Sequence, residues 1–389
     1  MSATLTATPT NTSLTSSKNR ASAPSNDVGP AIKMEEDTKR SVSFFEFWPA
    51  WAIYLPVAIQ WMALSLRHRS LTVPFLANPE LTLSGMVGVP KSELMSQATG
   101  LCKEAILPWL AFETNQTDAQ EQAETWIASA AQQDINLPFV CKPDIGCRGF
   151  GVKLIKDVEQ LANTIESYPK GTSLLCQKLA RWEPEVGIFY VKEPSTGKAS
   201  VVSLTSKFLP RVTGDGKSTL GALIEKNPRA GSLRHMYYER HKEAWDSVPA
   251  NGEAVQLVFS ASHSKGAIFR DACEYITPEL NQAVVEIMAD LPDFYYGRLD
   301  VKYADLESLQ RGETLEIVEI NAASAEPTHI WDRNAKYFES IKTLLWQYRA
   351  LFRIGAHHKA KGYKPPGLVK FMRHWSKERK LSKYYPNTD

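Results

Sequence analysis

At 389 residues, with 43% hydrophobic side chains, the chain is long enough for two or three units that each bury a core. Its 45 Lys and Arg against 43 Asp and Glu leave a net charge of +2, so there is no global case for a nucleic-acid partner. The 5 cysteines (Cys102, Cys141, Cys147, Cys176 and Cys273) are odd in number, scattered and without a C-x-x-C pair, which argues against a disulfide framework or a zinc site and for buried thiols in a reducing compartment.

Residues 1–43 are dominated by Ser, Thr, Ala, Asn and Pro without apolar periodicity, and are expected to be disordered. A mitochondrial presequence would be richer in Arg and amphipathic. Residues 44–69 follow as an apolar segment. Between Trp48 and Leu66 the only strongly polar side chain is Gln60, tryptophans punctuate the run, and Arg67 and Arg69 close it. Its length is about that of a bilayer core, and interfacial Trp and Arg suit an anchor. The expectation is a membrane-associated helix, spanning or half-inserted; the alternative is a buried helix of a soluble domain. Residues 70–135 read as a shortened region, helical around Lys91 to Leu101, with an amphipathic helix ending near Gln133. From 136 to 333 short β-branched runs such as "PFVCKP", "VGIFYV" and "TLEIVEIN" alternate with helical stretches, an α+β pattern of hairpins without regular βαβ winding. Residues 334–389 are helical and basic; Leu368, Phe371, Met372 and Trp375 share a face, as in a packed surface helix or one pressed on anionic lipid.

Two tempting motifs fail. "GDGKST" ends like a phosphate-binding P-loop, but Arg211 stands where its leading glycine is required. "GCRGFG" has the spacing G-x-x-G-x-G, not that of a dinucleotide fingerprint. No Ser-His-Asp arrangement and no H-E-x-x-H can be argued. What remains is an ordered set. In "FVCKPDIGCRGFGVKLI" a strand ends in Lys142 and a glycine-rich turn follows, where backbone N–H groups can approach phosphate oxygens. Gln177 and Lys178 stand at a later strand end, with Glu185 at the start of the next. In "GRLDV" and "EIVEIN", Arg298 and Asp300, then Glu319 and Asn321, are spaced by two, so each pair shares one strand face. If the strands are neighbours, three oxygen-bearing groups and a guanidinium meet on one surface, which suits a hard cation carrying phosphates.

Read in that order, these residues resemble the ATP-grasp superfamily, and within it the carboxylate–amine ligases similar to D-alanine–D-alanine ligase and cyanophycin synthetase. The resemblance runs from about Val89 to Asp332, and includes "RVTGDGKSTLGALI" and "VQLVFSASHSKGAIFRD". It implies two α+β subdomains clamping ATP. Lys142 would contact phosphate, with Gly146, Arg148, Gly149 and Gly151 closing over it and Lys91 as a second phosphate lysine. Gln177, Lys178 and Leu179 would line the adenine site and Glu185 would hold the ribose. Asp300, Glu319 and Asn321 would bind one or two Mg²⁺, with Mn²⁺ as the alternative. Arg298 would face the γ-phosphate and acyl phosphate, and Arg211 and Lys207 would clamp phosphate.

The implied reaction joins a small-molecule carboxylate to an amine or thiol through an acyl phosphate. The loop "AASAEPTHIWD" departs from the family: it lacks the serine-containing substrate loop of the D-alanine ligases and carries Glu326 and His329, which points to a cationic or amino-bearing acceptor. The family's N-terminal substrate domain is shortened and the apolar segment stands in its place, so the expectation is a membrane-associated ligase on the cytosolic side, or a soluble cytoplasmic one. The alternatives are a phosphotransferase on the same fold and a catalytically weak nucleotide-binding scaffold.

Overall fold

The computed structural model describes residues 31–33, 45, 48–146, 149–260, 262 and 266–388. Most of the tail expected at 1–43 therefore lies outside the described residues, as do Cys147 and Arg148 of the glycine-rich turn.

Eleven strands are formed among the described residues: β1 Trp109–Glu113, β2 Phe139–Pro143, β3 Lys153–Ile155, β4 Ser173–Lys178, β5 Glu185–Lys192, β6 Ala199–Phe208, β7 Arg211–Thr213, β8 Ala254–Gln256, β9 Ile268–Asp271, β10 Tyr296–Lys302 and β11 Glu316–Asn321. They build a four-stranded sheet in the order β1-β4-β2-β3, a five-stranded sheet in the order β11-β10-β5-β6-β9, and the pair β7-β8. All strand pairings within these sheets are antiparallel, as the hairpin reading expects. β1 and the helix Ala119–Ala131 belong to the first sheet's layer, although they precede residue 136, where the sequence pattern begins that unit.

Helices cover one side of each sheet. Ala119–Ala131 and Val158–Ser167 start at Asp118 and Asp157, whose carboxylates accept from exposed N–H groups of the first turn. They pack Trp126, Leu161 and Ile165 onto Phe139, Cys141, Leu174 and Cys176 of the four-stranded sheet. Pro278–Ala289 is capped by Thr277 and seats Leu280, Val284 and Met288 on Val186, Ile188, Leu204 and Leu299 of the five-stranded sheet. Because side chains alternate along a strand, the intervening residues face the other way, into the cleft between the sheets. Lys142 on β2 and Arg298 and Asp300 on β10 are such residues. Cys102, Cys141 and Cys176 are buried free thiols, while Cys273 is half-buried.

For the apolar segment, the spanning alternative requires a correction. It forms the helix Ala50–His68, and no helix among the described residues is long and apolar enough to cross a membrane. The physical reason is that one side is committed to protein. Ile53 and Val57 are buried against Ile341 and Leu344 of the long helix Tyr337–Ala360. Trp61 meets Phe352 edge-on at 5.2 Å, and Gln60 Nε2 donates to Leu345 O at 2.7 Å. Lipid cannot surround a helix held in this way.

Candidate active site

β10 runs between β5 and β11, and its register sets the site. Arg298 stands opposite Asn321, and Asp300 opposite Glu319. A bulge after Asp300 shifts the pairing so that Val301 faces Ile317, which keeps both polar pairs on the cleft side and both apolar residues in the core. The two same-face pairs legible in the sequence are thus brought together.

These groups are nearly dry and tightly paired. Arg298 donates from Nε to Asp300 Oδ1 at 2.8 Å and from a terminal nitrogen to Oδ2 at 3.3 Å. Lys207 Nζ, on β6, lies 2.8 Å from Asp300 Oδ1 and 2.8 Å from Glu185 Oε1. Asn321 Nδ2 donates to Asp300 Oδ2 at 3.2 Å. Burial alone would raise the Asp300 pKa, but the Arg298 and Lys207 charges beside it hold the carboxyl far below the usual carboxylate range. Gly187 on β5 makes room for this: a Cβ there would sit 3.1 Å from Arg298 Cδ and 3.4 Å from Lys207 Cε.

The opposite sheet supplies more positive charge. Lys142 is buried, donating from Nζ to Gln177 Oε1 at 2.7 Å and to Val318 O at 3.2 Å. Burial pushes its ammonium pKa down to about 8, against the pull of Glu319. Lys91 opens the helix Lys91–Met95; its Nζ donates to Gly146 O at 2.8 Å and lies 3.8 Å from Glu319 Oε1. Gly149 is left-handed (φ 68°) and approaches Ser260 so closely that a Cβ would lie 2.8 Å from its Oγ. The chain's C-terminal stretch ties this loop down: Tyr385 Oη donates to Ile145 O at 2.6 Å, and the Thr388 hydroxyl donates to Gly149 O.

The cleft has a volume of about 1070 Å³, and residues of both sheets line it. Lys91, Lys142, Gly146, Gly149, Gln177, Lys178, Leu179, Glu185, Lys207, Arg211, Arg298, Asp300, Glu319 and Asn321 all reach its wall. Gly151 does not; it is left-handed and packs under Tyr168, whose hydroxyl donates to its carbonyl at 2.5 Å. Several side chains are engaged differently from the expectation. Glu185 is clasped by Lys207, at 2.8 Å, and by Lys302, at 3.2 Å. Burial raises its pKa, and the two lysines overcome this and lower it. Gln177 spends its amide on Lys142 and Leu107 O, and the Lys178 ammonium pairs with Asp134. Arg211 stands at the half-exposed rim beside Glu183 and Gln256. In the departing loop Glu326 lines the cleft and accepts from Tyr54 Oη at 2.7 Å, while His329 turns away to Ser203 Oγ at 2.6 Å.

Sequence reasoning missed Lys302, Gly187, Tyr54 and Thr328. Lys302 had a signal, since it continues the alternation of Arg298 and Asp300 on one face. Thr328 had none. Its hydroxyl is buried in the cleft wall and finds no hydrogen-bond partner.

Two α+β layers thus face one cleft, with a glycine turn and its lysine on one side and the opposed Asp300 and Glu319 on the other. Solved structures to which the chain is similar include a bifunctional glutathione synthetase from Pasteurella multocida (18% identity, TM-score 0.34, covering 66% of this chain and 36% of that one). The VanG D-Ala:D-Ser ligase from Enterococcus faecalis gives 12% identity and a TM-score of 0.38, over 70% of this chain and 64% of that one. The D-alanine–D-alanine ligase from Coxiella burnetii gives 10% identity and a TM-score of 0.36, over 77% and 64%. The chain thus spans less than two thirds of the length of each. No family model matches the sequence, and no curated protein does.

Proposed function

We propose that the protein is an Mg-ATP-dependent ligase that activates a carboxylate as an acyl phosphate and joins it to an amine. The observation that carries this reading is the cross-strand set Arg298/Asn321 and Asp300/Glu319 on the floor of a cleft whose other wall holds Lys142 and Lys91.

The donor set fits a hard cation that keeps other oxygens in its shell. Asp300, Glu319 and the Asn321 amide offer oxygen only, and are too few to enclose Mg²⁺ without water and phosphate. Among the described residues no group of three or more His, Cys, Asp or Glu is arranged to hold a metal ion. Bound Mg²⁺ would neutralise phosphate charge and align the phosphates.

The chain's own residues would do the rest. Lys142 and Lys91 hold phosphate charge, the turn around Gly149 supplies backbone N–H groups and sheds water, and Leu179 offers an apolar wall for a base. Arg298, with its planar fork, takes the transferring phosphoryl group, and Lys207 shares that charge. A substrate carboxylate oxygen attacks the γ-phosphorus and ADP leaves. An amine then attacks the acyl carbon, phosphate leaves, and the amine gives up a proton. Glu326 and Tyr54, at the far wall, are the groups suited to an ammonium on the acceptor. No protein nucleophile is needed.

The test is a thermal-shift measurement followed by a substrate screen. Mg-ATP should raise the melting temperature of the wild type and not that of Asp300→Ala, which itself loses about 3 kcal/mol because two buried cations lose a partner. Paired pools of carboxylates and amines should then release ADP and free phosphate together. No shift with Mg-ATP refutes the nucleotide site; ADP with phosphate retained on a product refutes the ligase.

A further inference from the structure

The helix Ala50–His68 turns one side to the protein and leaves the other bare. Trp51, Leu55, Ile59, Met62 and Leu66 are 70, 53, 64, 54 and 77% exposed, while Ile53 and Val57 behind them are buried. Three or four residues apart, the five form one row, about 22 Å long at 1.5 Å per residue. The only other exposed positions between Trp51 and Leu66 are Ala58 and Ala63, and no Asp or Glu occurs between Glu46 and Glu80. Monomeric proteins seldom leave a continuous apolar strip of this extent uncovered.

The neighbouring surface says what covers it. At the end of the long helix Lys359 Nζ donates to His68 O at 2.9 Å, so both helices end side by side. The chain runs from there into the helix Leu368–Ser382, whose Phe371 stacks on Phe75 at 5.1 Å. From Lys361 to Lys383 there are 8 Lys or Arg and 1 acid, Glu378, and that carboxylate accepts from the Gly88 N–H at 2.5 Å. The same helix exposes a second apolar row, Leu368, Val369, Met372 and Trp375, beside Lys370, Arg373 and Lys377. A nucleic acid would use the cations and leave both rows bare. A second copy of the chain would cover the rows and crowd like charges together. An anionic lipid surface accepts both at once, the rows among acyl chains and the cations at the headgroups.

We propose that the helix Ala50–His68 lies in the plane of an anionic bilayer surface, apolar row inward and without crossing it, with the basic helix Leu368–Ser382 seated beside it. This inference goes beyond the ligase reading and stands whether or not that reading holds. Because Tyr54 of the same helix reaches the cleft wall, such seating would set the cleft close to the membrane.

The full-length protein is floated with vesicles of phosphatidylcholine alone, or of phosphatidylcholine with phosphatidylserine, at low and high salt, and its oligomeric state is measured without lipid. The expected result is a monomer that floats with the anionic vesicles and is released by salt. Leu55→Asp/Ile59→Asp should lower the partition about ten-fold or more. Lys370→Gln/Arg373→Gln/Lys377→Gln should lower it about five-fold per charge removed. All five side chains are exposed or at the surface, and unchanged thermal unfolding separates lost binding from lost folding. The proposal is overturned by no flotation, by equal flotation with neutral vesicles, or by a wild-type dimer that Leu55→Asp/Ile59→Asp dissociates.

Discussion

Lys142 should make nucleotide affinity depend on pH in a range where ordinary lysines do not titrate. Its ammonium is buried, with Gln177 Oε1 and Val318 O as its hydrogen-bond acceptors, and burial brings its pKa down to about 8. On the proposed reading only the charged form attracts phosphate. With that pKa, about nine-tenths of Lys142 is protonated at pH 7 and about one-tenth at pH 9, so the apparent Kd for Mg-ATP should weaken about ten-fold between them. The sign is fixed: affinity is full below pH 8 and falls as pH rises through it. Bound phosphate raises the lysine's pKa again, so at pH 9 binding should take up nearly one proton per nucleotide. Titration calorimetry in buffers of different ionisation enthalpy measures both quantities. Lys142→Arg stays charged throughout and should flatten the profile. Lys142→Met should weaken binding about 10- to 100-fold at pH 7, the worth of one charged hydrogen bond. An unchanged Kd from pH 7 to 9 with no proton uptake in the wild type would refute the reasoning.

Two further substitutions separate site chemistry from stability. Gly187→Ala puts a Cβ 3.1 Å from Arg298 Cδ, close enough to displace that side chain by a few tenths of an ångström. It should cost about 1 kcal/mol of stability but lower kcat about ten-fold, and an unaltered kcat would mean that Arg298 does not act on the reacting phosphoryl group. Thr328→Val removes a buried hydroxyl that has no partner. Stability should hold or rise, while the KM of one ligase substrate rises about five-fold if the hydroxyl meets it, the value of one neutral hydrogen bond.

How much of this was legible depended on distance along the chain. Arg298, Asp300, Glu319 and Asn321 could be read because strand alternation sets their faces and one short connection makes their strands neighbours. Lys142 and the glycine turn were legible for the same local reason. Lys207 was different. It reaches Asp300 from a strand more than ninety residues earlier, and no period in the sequence encodes that register. The surroundings of Glu185 were not legible either, since Lys207 beside it on β6 and Lys302 beside it on β10 close around it only once the sheet forms. The spanning alternative for the apolar segment failed through the same kind of gap. Apolar residues surround the helix on nearly every side, and which of them are covered is decided by the helix Tyr337–Ala360, whose Leu345 carbonyl takes the Gln60 amide from 285 residues away.

On the proposed reading, the ion cluster on the floor of the cleft also constrains how ligands would enter. Both oxygens of Asp300 are taken, Oδ1 by Lys207 and Arg298 and Oδ2 by Arg298 and Asn321. A carboxylate so engaged has little left to offer a divalent cation, and the two positive side chains beside it hold its pKa far below the usual carboxylate range. On the proposed reading those two side chains would also receive the transferring phosphoryl group. On that reading, phosphate oxygens that drew Arg298 and Lys207 toward themselves would release Asp300 for metal, and the site's affinity for metal would rise as nucleotide arrived. Gly187 would leave room for such an exchange, since a Cβ there would crowd both side chains, at 3.1 Å from Arg298 Cδ and 3.4 Å from Lys207 Cε.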